Sequence, residues 1–567
     1  MTRWRWLLLV AGIMAVIAML LPPRRQDLDT PGEIAAAVRG AIHVHTSRSD
    51  GSGTVDDVAA AAARAGLQFV VFSDHGDARR PAMDPSYRHG VLCIDAVEIS
   101  SSGGHILAIG LTKAAPYPLG GEPRDVIDDV RRLGGMSIVA HPTSGKPELQ
   151  WQDWDASFDG IEWLNADSEW RDEGVMTLGR ALLTYPWRRV ETMAMLLDRP
   201  GPLFVRWDRL LQSRRVIAIA GADAHASLGF SGQENPYGDG ALVALPDYEP
   251  SFKTFSVALP AARLTGDAAA DAQTVIGELR TGRVYSAIDG LARPARLRFS
   301  ARSGARHAQG GESLPIDGPV TIEVATNAPD RSRIHLLRDG RVVAAATGSI
   351  LRHHASEQTA VYRTEVYLPR SEERGVPWLV SNPIFVGGAA VPVSPSFVPA
   401  FESPVYSADQ LAKALTDGVL RNGWGIEASD GTVAVPDASG SSLMLHFGLR
   451  GAPDLSPYVA VGIPAGKDIT NFTRVAFRAR ASRPMRAWVQ LWTTVPTGNQ
   501  YWRRSVYLDE TSRDISVPFE EMLPSPAGAP RQVPLRRIIS LMFAVDTVHT
   551  PLGTTGDIWI DDVRYQR

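Results

Sequence analysis

Three observations predict a multidomain chain: a β/α barrel followed by two all-β sandwich domains, with an N-terminal transmembrane helix. From Ala41 to about residue 290, short apolar runs alternate with amphipathic helical stretches, the pattern of strands joined by crossover helices. Beyond that region helical periodicity gives way to period-two alternation. Ahead of it, an uncharged run from Trp6 to Pro23 follows Arg3 and Arg5. A chain of 567 residues also exceeds one ordinary core, since about 150 residues per domain is usual.

Taken in order, residues 1–26 read as a membrane segment. Trp6–Pro23 has about the length that crosses a bilayer as a helix, and Ala18-Met19-Leu20-Leu21-Pro22 is a poor cleavage site. The expectation is an uncleaved anchor with the body outside the cytoplasm, periplasmic or at the cell surface. Arg24 and Arg25 balance Arg3 and Arg5, so the charges do not fix the orientation. Residues 38–290 form the barrel. Ala41-His45, Gln68-Ser73, Val91-Ile99, Met136-Ala140, Gly160-Leu164 and Val216-Ala222 read as strands whose near-continuous hydrophobicity implies burial on both faces. Thr54-Val55-Asp56-Asp57 and Gly66 bracket a helix as capping box and C-cap, and a second helix stops at Gly134-Gly135. Residues 291–388 read as an immunoglobulin-like β-sandwich, with an Asp339-Gly340 hairpin. Residues 389–399 read as a Pro-, Val- and Ser-rich linker. Residues 400–567 read as a jelly roll, from alternation in Thr473-Ala481, Met485-Thr494, Ile539-Asp546 and Asp557-Tyr565.

Composition narrows the function. A formal net charge of −4 gives no basic field for a phosphate polymer, so long nucleic acid is not an expected partner. The single cysteine, Cys93, sits in the apolar run Val91-Ile94 and reads as a buried small hydrophobe.

The chemistry lies at strand ends. His43-Val44-His45 puts two imidazoles on one face of a strand, and Asp223-Ala224-His225 repeats the device. If the sheet closes as a barrel, first and last strands are neighbours and the two pairs meet. Asp74-His75, Glu98 and His141 likewise follow or end strands. Any one of these residues alone is more often a satisfied structural group, but together they point to a metal site.

The ordered motifs His-x-His-Thr, Ser-Asp-Gly, Ser-Asp-His, Val-Glu-Ile-Ser, Gly-His-Ile-Leu, Ala-His-Pro and Ala-Asp-Ala-His resemble the polymerase and histidinol phosphatase (PHP) superfamily, from about Gly40 to Ile288. The resemblance implies a distorted, TIM-like β/α barrel and two or three divalent ions. It implies one ion on His43, His45, Glu98 and Asp223, a second on Glu98, His105 and His141, and a third on Asp50, His75 and His225. Of these, His43, His45, Glu98 and Asp223 would form the catalytic set, and Asp74 would support the ligands from behind. His105 reads alternatively as a satisfied core histidine. Imidazole and carboxylate without thiolate suit zinc, manganese or iron. The implied activity is hydrolysis of a phosphomonoester or phosphodiester by metal-activated water, with Arg48, Arg79, Arg80 and Lys146 as candidate phosphate contacts. For each of those four, a solvated surface charge is the competing reading.

Two other readings stand beside this one: metal-dependent hydrolysis of a non-phosphate ester or amide, and a non-catalytic envelope or glycan-binding protein. The second draws on Gly556-Val563, which resembles the closing strand of galactose-binding-like and carbohydrate-binding sandwiches. Trp488, Trp492, Tyr501 and Trp502 could stack on an envelope glycan, although alternating Trp on a strand is more often inner-sheet core.

Overall fold

A computed structural model describes residues 14, 18–30, 32, 34–226, 228–229, 241–243, 247–372, 375–388, 399–416, 424–430, 432–439, 442–451, 456–466, 468–495, 498–525 and 530–567. The chain divides into two compact units. The first holds Met1–Ala114 and Glu122–Val393, and the second holds Ala115–Gly121 and Ser394–Arg567.

The elements of unit 1 that place its functional side chains are β1 (Val38–Val44), α1 (Val55–Ala65), β2 (Phe69–Phe72), β3 (Val91–Ser101), β4 (Gly104–Ile109), α2 (Pro123–Arg132), β5 (Met136–Val139), β6 (Gly160–Asn165), α3 (Ala166–Arg171), α4 (Gly201–Leu211), β7 (Ile217–Gly221), α5 (Tyr248–Thr254), β8 (Ser256–Leu259), α6 (Ala268–Thr281) and β9 (Tyr285–Ala287). Local chemistry sets the helix ends. Thr54 and Asp57 exchange side-chain and backbone hydrogen bonds at the start of α1, and Gly66 ends it at φ 78°, which glycine adopts without a Cβ clash.

Further strands of this unit are β10 (Leu297–Ser303), β11 (Arg306–Gln309), β12 (Ser313–Leu314), β13 (Val320–Thr326), β14 (Arg333–Arg338), β15 (Arg341–Thr347), β16 (Ile350–Ala355), β17 (Ala360–Tyr367), β18 (Leu379–Ser381) and β19 (Ile384–Val386). They correct the expected fold class. Instead of a β/α barrel followed by a separate sandwich, one 16-stranded sheet runs β12-β19-β17-β18-β9-β8-β1-β2-β3-β4-β5-β6-β7 along its main path. The sheet is mixed: β1-β2-β3 are parallel, β3-β4-β5 antiparallel, β5-β6-β7 parallel again, and β8 runs antiparallel to β1. The β3-β4 hairpin breaks the strand–helix alternation an all-parallel barrel requires. Pairing of Tyr285, Ser286 and Ala287 with Ser381, Val380 and Leu379 carries the sheet into the sandwich. A four-stranded sheet, β11-β10-β13-β16, covers that end. The core there mixes Ala258, Tyr285 and Ala287 with Phe299, Ile322, Val366 and Trp378.

The strand ends nonetheless meet where the sequence placed its ligands. Val44 bridges to Ala224, the His45 N–H donates to the Ala224 carbonyl at 3.1 Å, and the Ala222 N–H donates to the Ile42 carbonyl at 2.8 Å.

Unit 2 is a sandwich of two antiparallel sheets with a single main core between them. Trp502 lies in that core, fully buried, and donates its indole N–H to the Pro530 carbonyl. Trp488 is also buried, in a small cluster with Met542 and Ala544. Only Trp492 and Tyr501 of the four aromatics are half-buried, and their rings stack on one another at 4.7 Å.

The membrane expectation is also corrected. Most of Trp6–Pro23 lies outside the described residues, and among the described residues no helix is long and apolar enough to cross a membrane.

Candidate metal centre

Nine side chains, from strands β1, β3 and β4 and from the segments that follow β1, β2, β5 and β7, converge in unit 1. Their candidate ligand atoms fall into overlapping sets whose members lie within 4.8 Å of one another: His45, Asp50, His75 and His225; His43, His141 and Asp223; His43, His45 and Glu98; and His75, Glu98 and His105. Glu98, inside β3 and three residues short of its end, sits in the middle of the cluster. Its Oε1 is 2.8 Å from His105 Nδ1 and 2.9 Å from His141 Nε2. Its Oε2 is 3.2 Å from Nε2 of both His43 and His45. One carboxylate therefore spans two groups of imidazoles, the arrangement a bridging ligand requires. Asp223 Oδ1 lies 3.2 and 3.3 Å from Nε2 of His43 and His45. Asp50 faces His225 at 3.2 Å, His45 at 3.2 Å and His75 at 3.4 Å. In the structure, then, His45 groups with Asp50, His75 and His225 as well as with Glu98.

The two strand-end pairs reach this point by different means than simple alternation. His43 has φ 66°, Asp223 φ 43° and His141 φ 30°, left-handed values that are uncommon for residues with a Cβ. The β1-β2 ladder skips a register between Ile42 and Val44, so His43 is turned out of the pleat.

Burial and charge explain the protonation of the site. For His43, burial opposes the charged form, but the carboxylates of Asp223, Glu162 and Glu98 outweigh it and hold the pKa well above the ordinary value. Burial is likewise overcome at His45 by the nearby carboxylates of Asp223, Asp50 and Glu98, and at His141 by Glu98. Burial pushes Asp50, Glu98 and Asp223 upward, but the surrounding histidines hold all three below the usual carboxylate range.

The donor set fits divalent ions. Both ring nitrogens of His45 and Nδ1 of His141 are buried and make no hydrogen bond of acceptable geometry. All ligand atoms are imidazole nitrogen or carboxylate oxygen, which suits zinc, manganese or iron. Cys93 is buried, its thiol pushed up to about 11 chiefly by that burial, and it lies in none of the ligand sets.

Asp74 stands behind the ligands. It accepts from the Thr46 N–H at 2.7 Å, from the Ser49 hydroxyl at 2.9 Å and from Arg48 Nη2 at 2.6 Å. Arg48 also reaches Asp95 at 2.8 Å, and Arg80 pairs with the other oxygen of Asp95 at 3.1 Å. Arg79 is turned onto Asp77 at 2.7 Å. Lys146 is exposed on the loop after His141. The geometry thus gathers Arg48 and Arg80 around one carboxylate and leaves Arg79 and Lys146 apart from it.

Sequence reasoning missed Glu162, Asn165 and Tyr248. Glu162 lies inside the apolar strand β6 and is 1% exposed, yet its Oε1 is 2.7 Å from His43 Nδ1. The only signal available was a carboxylate at an otherwise apolar strand position. Tyr248 accepts from the Gly53 N–H and lies 3.0 and 3.1 Å from the carbonyls of His45 and His225, stapling two ligand-bearing loops.

No family model matches the chain, and no curated protein matches it. Among solved structures, a family 11 carbohydrate-binding module from Clostridium thermocellum, in complex with a β-1,3-1,4-mixed-linked tetrasaccharide, is 13% identical over 26% of this chain and 91% of its own, at TM-score 0.22. A family 29 carbohydrate-binding module complexed with mannohexaose is 10% identical over 30% of this chain and 92% of its own, at TM-score 0.20. An agarase is 12% identical over 29% of this chain and 24% of its own, at TM-score 0.21. These are records of similarity at a level that carries no argument about the metal centre or its chemistry.

Proposed function

We propose that unit 1 is a metal-dependent phosphoesterase acting on a phosphomonoester or phosphodiester. The observation that carries this reading is Glu98, whose two oxygens face separate imidazole groups while Asp223 and Asp50 close the remaining sides. Its support in sequence is the ordered set of motifs shared with the PHP superfamily. Bound divalent ions would supply Lewis acidity toward a phosphoryl oxygen and acidify water near neutral pH. The chain's own part is to hold the ligands. His43, His45, His141, Glu98 and Asp223 are buried in fixed orientations, while His75, His105, Asp50 and His225 are partly accessible and form the side open to substrate. Arg48 and Arg80, fastened through Asp95, are the cations best placed for a phosphate oxyanion.

The test is release of nitrophenol or phosphate from mono- and diester substrates by the full chain, with zinc, manganese or iron(II), for wild type, His43→Ala and Asp223→Ala. Metal-dependent turnover abolished in both variants is the expected result. If the metallated protein leaves phosphate esters intact but cleaves carboxylic esters or amides, the non-phosphate hydrolase reading replaces this one. If it cleaves nothing, a binding protein remains.

A second reading concerns unit 2. Of Trp488, Trp492, Tyr501 and Trp502, the core leaves Trp492 and Tyr501 half-exposed and stacked on one another, and a glycan-binding role for this sandwich rests on that pair. Retardation of the full chain in gels cast with soluble β-glucan, lost in Trp492→Ala, is the expected outcome. Unretarded wild type removes the reading.

A further inference from the structure

The three ligand residues with left-handed backbone, His43, His141 and Asp223, are also one of the candidate metal-binding sets, and a single buried carboxylate connects them. Glu162 Oε1 is 2.7 Å from His43 Nδ1, so it accepts that N–H when His43 offers Nε2 to the centre. Glu162 Oε2 accepts the backbone N–H of His141 at 2.8 Å and the side-chain N–H of Asn165 at 2.8 Å. Asn165 then donates to Asp223 Oδ2 at 3.1 Å, which leaves Oδ1 facing Nε2 of His43 and His45. The amide cannot flip freely, because its oxygen already accepts from the Ser168 N–H at 3.0 Å. Space for this carboxylate is reserved by the neighbouring strand: a Cβ at Gly221 would lie 1.8 Å from Glu162 Oε1.

From this geometry we infer that Glu162 is a positioning residue for the metal centre. It fixes the His43 tautomer, pins the His141 turn, and through Asn165 selects the oxygen that Asp223 presents. The inference rests on the metal-centre reading and adds to it a residue outside every ligand set. Gln at this position keeps the shape but replaces one acceptor by a donor, so at least one of the His43, His141 and Asn165 N–H groups meets another N–H.

The experiment strips the full chain with chelator and titrates it with cobalt(II), reading stoichiometry by elemental analysis and ligand field by visible absorption. Glu162→Gln is expected to weaken binding at the affected site by about 10- to 100-fold and to alter its visible spectrum, as for residues that orient a metal ligand. Gly221→Ala, which displaces the same carboxylate, is expected to reproduce the change, and Asn165→Ala to give a smaller one. Glu162→Gln with wild-type stoichiometry, affinity and spectrum overturns the inference. Wild type that binds no cobalt, zinc or manganese overturns instead the metal-centre reading beneath it. Unfolding midpoints of the chelated proteins separate lost metal affinity from lost fold, and if Glu162→Gln does not fold, Asn165→Ala and Gly221→Ala decide by the same criterion.

Discussion

Unit 1 buries two clusters of carboxylates, and it neutralises them differently. In the first, Arg363 is 1% exposed and donates to Asp208 at 2.7 and 2.8 Å and to Glu365 at 2.6 Å, while Arg199 meets Glu365 at 3.0 Å. The rings of Phe204 and Trp207 lie within 4.9 and 5.1 Å of the Arg363 guanidinium. Each acid there has its own permanent cation. In the second, Glu98, Glu162, Asp223 and Asp50 face imidazoles, together with amide groups and, at Asp50, the Ser49 hydroxyl. Imidazole can give up its proton to a competing metal ion, whereas guanidinium cannot. A cluster closed by arginine is finished as a structure, and one closed by histidine can exchange protons for metal ions.

The comparison is broken most completely by truncation. A fragment ending at residue 290 removes Arg363 and Glu365, strands Asp208, and deprives β9 of its partner β18. It also removes Asn382, whose side chain accepts from the Ala218 N–H and donates to the Ala218 and Val284 carbonyls. The expected outcome is no cooperative urea transition for residues 27–290 by circular dichroism, against a clear one for the full chain. A cooperative transition would show that the sandwich strands are dispensable to the sheet.

Next in size is Glu98→Gln. Activity and metal affinity are expected to fall by more than about 100-fold, beyond the range of a residue that only orients a ligand. In chelator its unfolding free energy should fall by less than that of Arg363→Ala, because imidazoles that lose their carboxylate can deprotonate whereas guanidinium cannot. Arg363→Ala should do the reverse, costing about 3–5 kcal/mol in urea unfolding by leaving buried carboxylates uncompensated. Its residual folded fraction should keep the wild-type cobalt spectrum. If the two variants affect stability equally, the distinction between the clusters fails.

The residues that converge were legible in the sequence because most are polar residues at or just past the end of an apolar run, and seven short motifs follow one another in order. The supports were not. Glu162 lies two residues into a strand that hydropathy reads as core, and its partner Gly221 matters only because β6 and β7 pair. Strand alternation correctly brought His43 and His45 together, but their actual convergence depends on a register skip and a left-handed residue, which no periodicity reveals. The barrel expectation failed for a related reason. Local pattern identifies strands, whereas the β3-β4 hairpin and the β9-β18 pairing, which make the sheet mixed and carry it into the sandwich, are non-local.

A third kind of buried acid gives the smallest test. Glu169 in α3 is 8% exposed, its Oε2 accepts from the Asp198 N–H at 2.9 Å, and no basic side chain among the described residues pairs with it. Burial, reinforced by the charges of Asp198, Asp172 and Glu173, pushes its carboxyl up to about 8 despite that one hydrogen bond. With no basic side chain paired to it among the described residues, this acid is kept neutral by a proton. The folded-state value lies above the ordinary carboxyl value of about 4.3, so the folded chain binds more protons between the two. Its stability contribution is therefore complete below the ordinary value and is lost as pH rises through about 8. For one proton the slope cannot exceed about 1.4 kcal/mol per pH unit. Urea unfolding at pH 5, 6, 7 and 8 should show this decline in wild type and a shallower one in Glu169→Gln, whose amide is neutral throughout. Parallel profiles would mean that α3 opens enough to hydrate the carboxylate, and that burial without a partner is not how this position is held.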